Sequence, residues 1–179
     1  MGTVLLDMAM SLDGFVSAPN NEDGGLHDWY FAPAGNAPFV IDELIQGIGA
    51  MILGKTVFGN EPEGWDTPYK VPHFVLTHTA RNPVERGGMT FHFVTDGVVS
   101  ALEQAKATAG EKIICVAGGA ATAQQFLQAG LVDELQIHLV AKLMGGGLRL
   151  FDQLGSTKLE QTRVLESPGV THLRYRVVK

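Results

Sequence analysis

The sequence predicts an α/β fold: a mixed, mostly parallel sheet with helices on its faces and a C-terminal antiparallel hairpin at one edge. Three observations predict it. Apolar runs of strand length recur along the chain, and several are nearly continuous, as strands covered on both faces require. Segments with apolar residues at helical spacing lie between some of these runs, and alternating strands and helices are the pattern of a parallel sheet. The tail instead alternates apolar and polar residues on either side of Ser167-Pro168-Gly169, the mark of a half-exposed antiparallel pair.

The elements follow in order. Val4–Ala9 is the first strand, its apolar run interrupted by Asp7. Residues 18–25 and 31–38 are rich in Gly, Asn and Pro; they are too short for domain linkers and read as loops over a site. Phe39, Ile41, Leu44, Ile45 and Ile48 recur at helical spacing. Strands are expected at Ala50–Leu53, Phe74–Thr77 and Thr90–Val94. Val98, Leu102, Ala105 and Ala109 define a second helix that Thr95 or Asp96 can cap. The run Ile113–Ala117 leads through Gly118-Gly119 into a third helix. Its stripe is Ala123, Phe126 and Leu127, and Gly130 can close it as the residue past the C-cap. Leu135–Val140 is a further strand, and Leu159–Leu165 with Val170–Val178 forms the hairpin.

The bulk composition restricts function. With 179 residues and no repeat, charge block or linker, the chain is expected to form one domain over 1–179. A hydrophobic fraction of 45% and a charged fraction of 18% are those of a globular protein. A net charge of −6 argues against a general nucleic-acid binder or a membrane-surface protein, though not against an anionic cofactor in a local pocket. The one cysteine, Cys115, excludes an intrachain disulfide, and its apolar surroundings point to buried packing. No signal peptide or apolar spanning segment is read, so a cytoplasmic location is expected. The six histidines show no H-E-x-x-H pattern and no close spacing. His92 and His138 alternate with apolar neighbours and are expected to face solvent, and no metal site is expected. The G-x-S-x-G elbow and the zinc-deaminase pattern are both absent.

Four segments fall at predicted strand ends, where open α/β sheets bind ligands. The most informative is Val116-Ala117-Gly118-Gly119-Ala120-Ala121-Thr122. Glycines without Cβ atoms let a ligand approach the backbone, and the following helix presents free N–H groups to the same spot, which suits a phosphate. A tight strand-to-helix turn with no ligand is the plainer alternative. The others are Ser11-Leu12-Asp13-Gly14, Gly54-Lys55-Thr56 and Thr77-His78-Thr79-Ala80-Arg81. Each also reads as an ordinary polar turn. Together, their cations and hydroxyls make a dinucleotide phosphate a coherent occupant. Lys55 and Arg81 are placed to hold a 2′-phosphate, which would favour NADPH over NADH.

The motifs Met10-Ser11-Leu12-Asp13-Gly14-Phe15-Val16, Met51-Ile52-Leu53-Gly54-Lys55-Thr56-Val57-Phe58, Val71-Pro72-His73-Phe74-Val75-Leu76-Thr77 and Val116-Ala117-Gly118-Gly119-Ala120 run in that order. Ala129-Gly130-Leu131-Val132-Asp133-Glu134-Leu135, Leu143-Met144-Gly145-Gly146-Gly147 and Leu150-Phe151 follow. In these the chain resembles the reductase domain of bacterial riboflavin biosynthesis, within the dihydrofolate-reductase-like superfamily, and in particular its stand-alone members. The resemblance implies a three-layer α/β/α fold, NADPH as cofactor and a homodimer. Gly54, Lys55 and Thr56 would meet the phosphates, Thr77, His78 and Thr79 the adenosine ribose, and Gly118–Thr122 the diphosphate. The nicotinamide would lie by Ala9, Ser11, Leu12 and Gly14.

The expected activity is hydride transfer to a small heterocyclic (pterin- or pyrimidine-like) or carbonyl substrate. That substrate would lie between the first strand end, the Asn20–Tyr30 loop and the helix near Asp42. Trp29 or Phe31 can stack on a flat ring, or pack in the core or loop. Asp13, Asp28 or a bound water would supply the proton, a carboxyl doing so where burial raises its pKa; Asp42 is the other acid of this region. The competing readings are a non-catalytic NADP(H)-binding or regulatory protein on the same fold, and a structural dimer that binds nothing.

Overall fold

A computed structural model describes residues 2–59, 67–152 and 154–179. The first strand is β1 (Val4–Ser11), followed by the short β2 (Phe15–Ser17), then helices α1 (Asp28–Phe31) and α2 (Ala37–Gly47). β3 (Ile48–Gly54), α3 (Lys55–Phe58), β4 (His73–Leu76), β5 (Val84–Arg86) and β6 (Met89–Val94) come next. The second half comprises α4 (Gly97–Ala109), β7 (Ile113–Val116), α5 (Ala120–Gln128), β8 (Glu134–Val140), β9 (Leu148–Arg149), β10 (Leu159–Ser167) and β11 (Val170–Val177).

Nine strands form one sheet in the order β10-β11-β8-β1-β7-β3-β4-β6-β5, and β2 pairs with β9 alone. Pairing is parallel from β8 through β1, β7, β3 and β4 to β6. It is antiparallel at both edges, β5 with β6 and the hairpin β10–β11 with β8. The mixed, mostly parallel sheet with a C-terminal hairpin is therefore present as expected.

Strand periodicity divides the apolar residues between two faces. Leu6, Ile52 and Ile114 point to one side and meet Ala101, Leu102 and Ala105 of α4 with Ala123 and Phe126 of α5. Their neighbours Leu5, Met51 and Cys115 point to the other and meet Val40 and Leu44 of α2. The result is three layers, α/β/α. Cys115 is buried as read from its surroundings, and burial pushes its thiol well up, so the group is inert.

Local chemistry explains the boundaries. Gly130 has φ 65°, its N–H reaches the Leu127 carbonyl at 3.0 Å, and the Leu131 N–H reaches that of Phe126 at 3.0 Å. This pair of bonds closes α5 as the glycine pattern predicts. Asp96 sits at the N-cap of α4 but makes no side-chain cap bond. On α2 the buried stripe is Ala37, Val40 and Leu44, whereas Phe39 is 56% exposed, which corrects the expected face. No helix among the described residues is long and apolar enough to cross a membrane.

Candidate active site

A cavity of about 700 Å³ opens at the carboxyl ends of the central strands. Its volume falls in the ordinary range for small-molecule sites. One end is built on glycine. The β3 end and the β7–α5 turn touch there: the Gly54 N–H donates to the Gly118 carbonyl at 2.8 Å. A Cβ on Gly54 would stand 2.6 Å from Thr122 Oγ1, and one on Gly118 (φ 106°) 3.1 Å from the Met8 sulfur, so only glycine fits at either place. The Gly118–Gly119 peptide is cis. Gly119 is the N-cap of α5 and provides no side-chain cap, so the first N–H groups of this nine-residue helix have no capping side chain. Ala120, Ala121 and Thr122 line the cavity with Gly54, Thr56, Gly118 and Gly119. A smaller depression shares Ala120 and Ala121 with the cavity and adds Arg149, whose guanidinium lies 4.5 Å from the Phe15 ring centroid. Free N–H groups beside a guanidinium suit a phosphate-bearing cofactor.

The other end is aromatic and acidic, and it centres on Asp7. Asp7 lies mid-strand on β1 and its side chain is 19% exposed. Its Oδ1 accepts a hydrogen bond from Gln136 Nε2 at 3.0 Å and lies 3.0 Å from His138 Nε2. Both partners are buried on β8, the strand beside it. Gln136 is held in turn, its Oε1 accepting from Arg163 Nη2 at 3.2 Å. Arg163 forks onto Glu43 of α2 at 2.8 and 2.7 Å. That fork holds the Glu43 carboxyl below its ordinary range.

His138 continues the network. Its Nδ1 lies 2.7 Å from Nδ1 of His172, and His172 Nε2 lies 3.1 Å from Ser167 Oγ. Burial, with His138 beside it, lowers the His172 pKa to about 4, so the ring is neutral at physiological pH. An ionised Asp7 requires an N–H at His138 Nε2, which makes His138 Nδ1 the acceptor of the His172 Nδ1–H. His172 Nε2 then accepts the Ser167 hydroxyl proton. The four groups form one directed chain from the β10–β11 turn to the cleft. Trp29 covers it, with its ring centroid 4.4 Å from His138 and 4.9 Å from His172. The Trp29 indole N–H and the Ser17 hydroxyl are buried in this cavity wall without a hydrogen-bond partner among the described residues. Buried polar atoms without partners are rare in folded proteins.

These findings correct the reading of the histidines. His138 is 2% exposed and His172 2%, not solvent-facing, and they form a pair that their separation in sequence conceals. His92 lies flat against Phe74, with ring centroids 5.0 Å apart. No cluster among the described residues could hold a metal ion.

The expected site residues divide. Ala9, Gly54, Thr56, Gly118–Thr122 and Trp29 line the cavity. Ser11, Leu12, Asp13 and Gly14 do not. Ser11 is fully buried, its hydroxyl donating to Asp13 Oδ1 at 2.6 Å and accepting from the Phe15 N–H at 3.0 Å. Leu12 is 63% exposed. Asp13 also accepts from the Met144 and Gly145 N–H groups, at 3.1 and 2.8 Å. The Ser11 hydroxyl and these N–H groups lower its pKa to about 2. Asp13 is thus an ionised clasp for the 142–145 loop, and the expectation that it donates a proton is corrected.

Asp28 and Asp42 are exposed and do not line the cavity. Lys55 donates to the Gly59 carbonyl and lies 5.6 Å from the Phe58 ring centroid. Thr77, His78, Thr79 and Arg81 follow β4 outside the cavity, with Arg81 4.8 Å from the Phe93 ring centroid.

A family model described as the RibD C-terminal domain matches residues 2–173. Solved structures with the same fold include a protein from Shewanella sp. PV-4 attributed to riboflavin biosynthesis. It has a TM-score of 0.75 and 23% identity, with 99% of each chain covered. A second is a diaminohydroxyphosphoribosylaminopyrimidine deaminase/5-amino-6-(5-phosphoribosylamino)uracil reductase from Thermotoga maritima. It has a TM-score of 0.69 and 16% identity over 99% of this chain and 57% of that longer one. The third, dihydrofolate reductase from Enterococcus faecalis complexed with NADP(H), has a TM-score of 0.60 and 15% identity over 99% and 98%.

Proposed function

Because the chain belongs to the RibD C-terminal domain family, we propose that it is an NADPH-dependent reductase of a small heterocyclic or carbonyl substrate. One observation carries the reading: a cavity at the carboxyl ends of parallel strands, closed at one end by Gly54, Gly118 and the uncapped start of α5. Glycine is required at both contact points, and the N–H groups beyond them suit a diphosphate. Arg149 stands beside the same helix start. Lys55, Thr77, His78, Thr79 and Arg81 are the polar groups just outside the cavity on the β3 and β4 sides, and are the candidates for the adenosine half and its 2′-phosphate.

When bound, NADPH supplies the hydride. The protein supplies orientation and the proton. Asp7 is the carboxylate at the aromatic end, and the His138–His172–Ser167 chain directs hydrogen-bond donors toward it. A proton delivered to the substrate through Asp7 would come from His138 Nε2–H; His172 Nδ1–H would replace it, Ser167 would replace that of His172, and Ser167 would regain its own from solvent at the β10–β11 turn. Trp29 provides a flat apolar wall against which a heterocycle can lie. A homodimer belongs to this reading through the family resemblance, and a cytoplasmic setting through the sequence reading of no signal peptide or spanning segment.

The test is oxidation of NADPH by the purified protein, followed optically with pterins, pyrimidines and small carbonyls in turn. Turnover of any of them supports the reductase. Tight binding of NADPH without turnover of any would favour the non-catalytic NADP(H)-binding protein.

A further inference from the structure

We propose that the substrate end of this cavity takes an uncharged or cationic ring that carries an N–H donor and no phosphate or carboxylate. The inference rests on the reductase reading and narrows its substrate class. The charged groups carry it. Asp7, Glu22 and Asp23 line the cavity, Asp23 paired there with His27, and no lysine or arginine does among the described residues. Arg163 and Arg174 of the sheet are paired with carboxylates outside the cavity lining: Arg163 with Glu43, and Arg174 with Glu134 at 2.7 Å. Arg149 flanks the start of α5, at the opposite, glycine end.

The hydrogen-bonding groups agree with the charge. Both donors to Asp7 reach Oδ1, and Oδ2 has no partner among the described residues. Oδ2 is an acceptor that a ligand N–H or O–H satisfies, and a phosphate or carboxylate oxygen cannot. Tyr30 and Tyr69 also line this end, and burial raises both of their pKa values, keeping the hydroxyls neutral. Negative charge on a ligand would meet Asp7 in a site that water screens poorly, with no lysine or arginine among the described lining residues to neutralise it. This separates the chain from the Thermotoga maritima reductase, whose named substrate bears a phosphoribosyl group.

The experiment is calorimetric titration of the NADP⁺-loaded protein with two matched pairs. These are 5-amino-6-ribosylaminouracil with its 5-phosphate, and 7,8-dihydroneopterin with its phosphate ester. At least one phosphate-free member is expected to bind, about ten-fold or more tighter than its ester. Asp7→Asn, which keeps the shape and removes the charge, is expected to shrink that ratio to within about three-fold. Tighter or equal binding of the esters would overturn the proposal, and so would binding of none of the four by a protein that holds NADP⁺. Failure to hold NADP⁺ at all would instead count against the reductase reading, which the loading step measures separately.

Discussion

His138 on β8 points its Nε2 at the Asp7 carboxylate on β1, 3.0 Å away, while its other ring nitrogen meets His172 at 2.7 Å. Two strands of a parallel pair and one of an antiparallel pair thus contribute to a single buried polar chain. Such a chain is stable only when every member is satisfied.

His138→Phe keeps the ring volume and removes both contacts. It leaves the Asp7 carboxylate with only Gln136 and strands the His172 N–H. Loss of about 2–4 kcal/mol of unfolding free energy is expected, more than a surface substitution gives. Urea denaturation measures it, and a loss within ~0.5 kcal/mol would show that the chain contributes nothing to stability.

Acidification should weaken the fold through His172. Its folded pKa of about 4 lies below the ordinary 6.5. Between those values the unfolded chain binds the proton and the folded chain does not, so stability rises with pH through this window and is lost as pH falls. His73, buried against the Val71 carbonyl, is likewise lowered to about 4 and adds to the same slope. Each contributes roughly 1–3 kcal/mol of pH-dependent stability. Urea midpoints at pH 7, 6 and 5 should fall progressively, and His172→Gln should flatten part of the fall. An unchanged slope in the variant would contradict the assignment.

Gly54→Ala places a methyl 2.6 Å from Thr122 Oγ1. Thr122 is β-branched and buried, so it cannot swing away freely. The β3 end must then part from the start of α5. A loss of about 1–3 kcal/mol and a fall in NADPH affinity of about ten-fold or more are expected. Thermal melting and NADPH titration read the two effects. An unchanged affinity would place the phosphate elsewhere.

Lys55→Ala bears on cofactor choice. If its ammonium moves from the Gly59 carbonyl to a 2′-phosphate, NADPH affinity should fall about ten-fold while NADH affinity stays level. Equal weakening of both, or none, would remove Lys55 from that role.

Much of the sheet was legible in the sequence because buried parallel strands must be apolar on both faces. Val4–Ala9, Ile113–Ala117 and Leu135–Val140 each mark an observed strand to within two residues at either end. The strands β2, β5 and β9 are only two or three residues long, too short for any period to register. The glycine end was equally legible, since Gly118-Gly119 between a strand and a helix is a local signal. The acidic end was not. Asp7 reads as an interruption in an apolar run, and His138 and His172 read as the outward half of an alternating pattern. Their burial depends on pairing across β8 and β11, a contact that no local spacing encodes. Asp13 drew attention by its turn, and the turn proved to be its role.

The most direct test of the reductase account is calorimetric titration of the purified protein with NADPH and, in parallel, NADH. Saturable binding at one site per chain, about ten-fold or more tighter for NADPH, is the predicted result. Binding of neither nucleotide would contradict it and leave the cavity to another ligand.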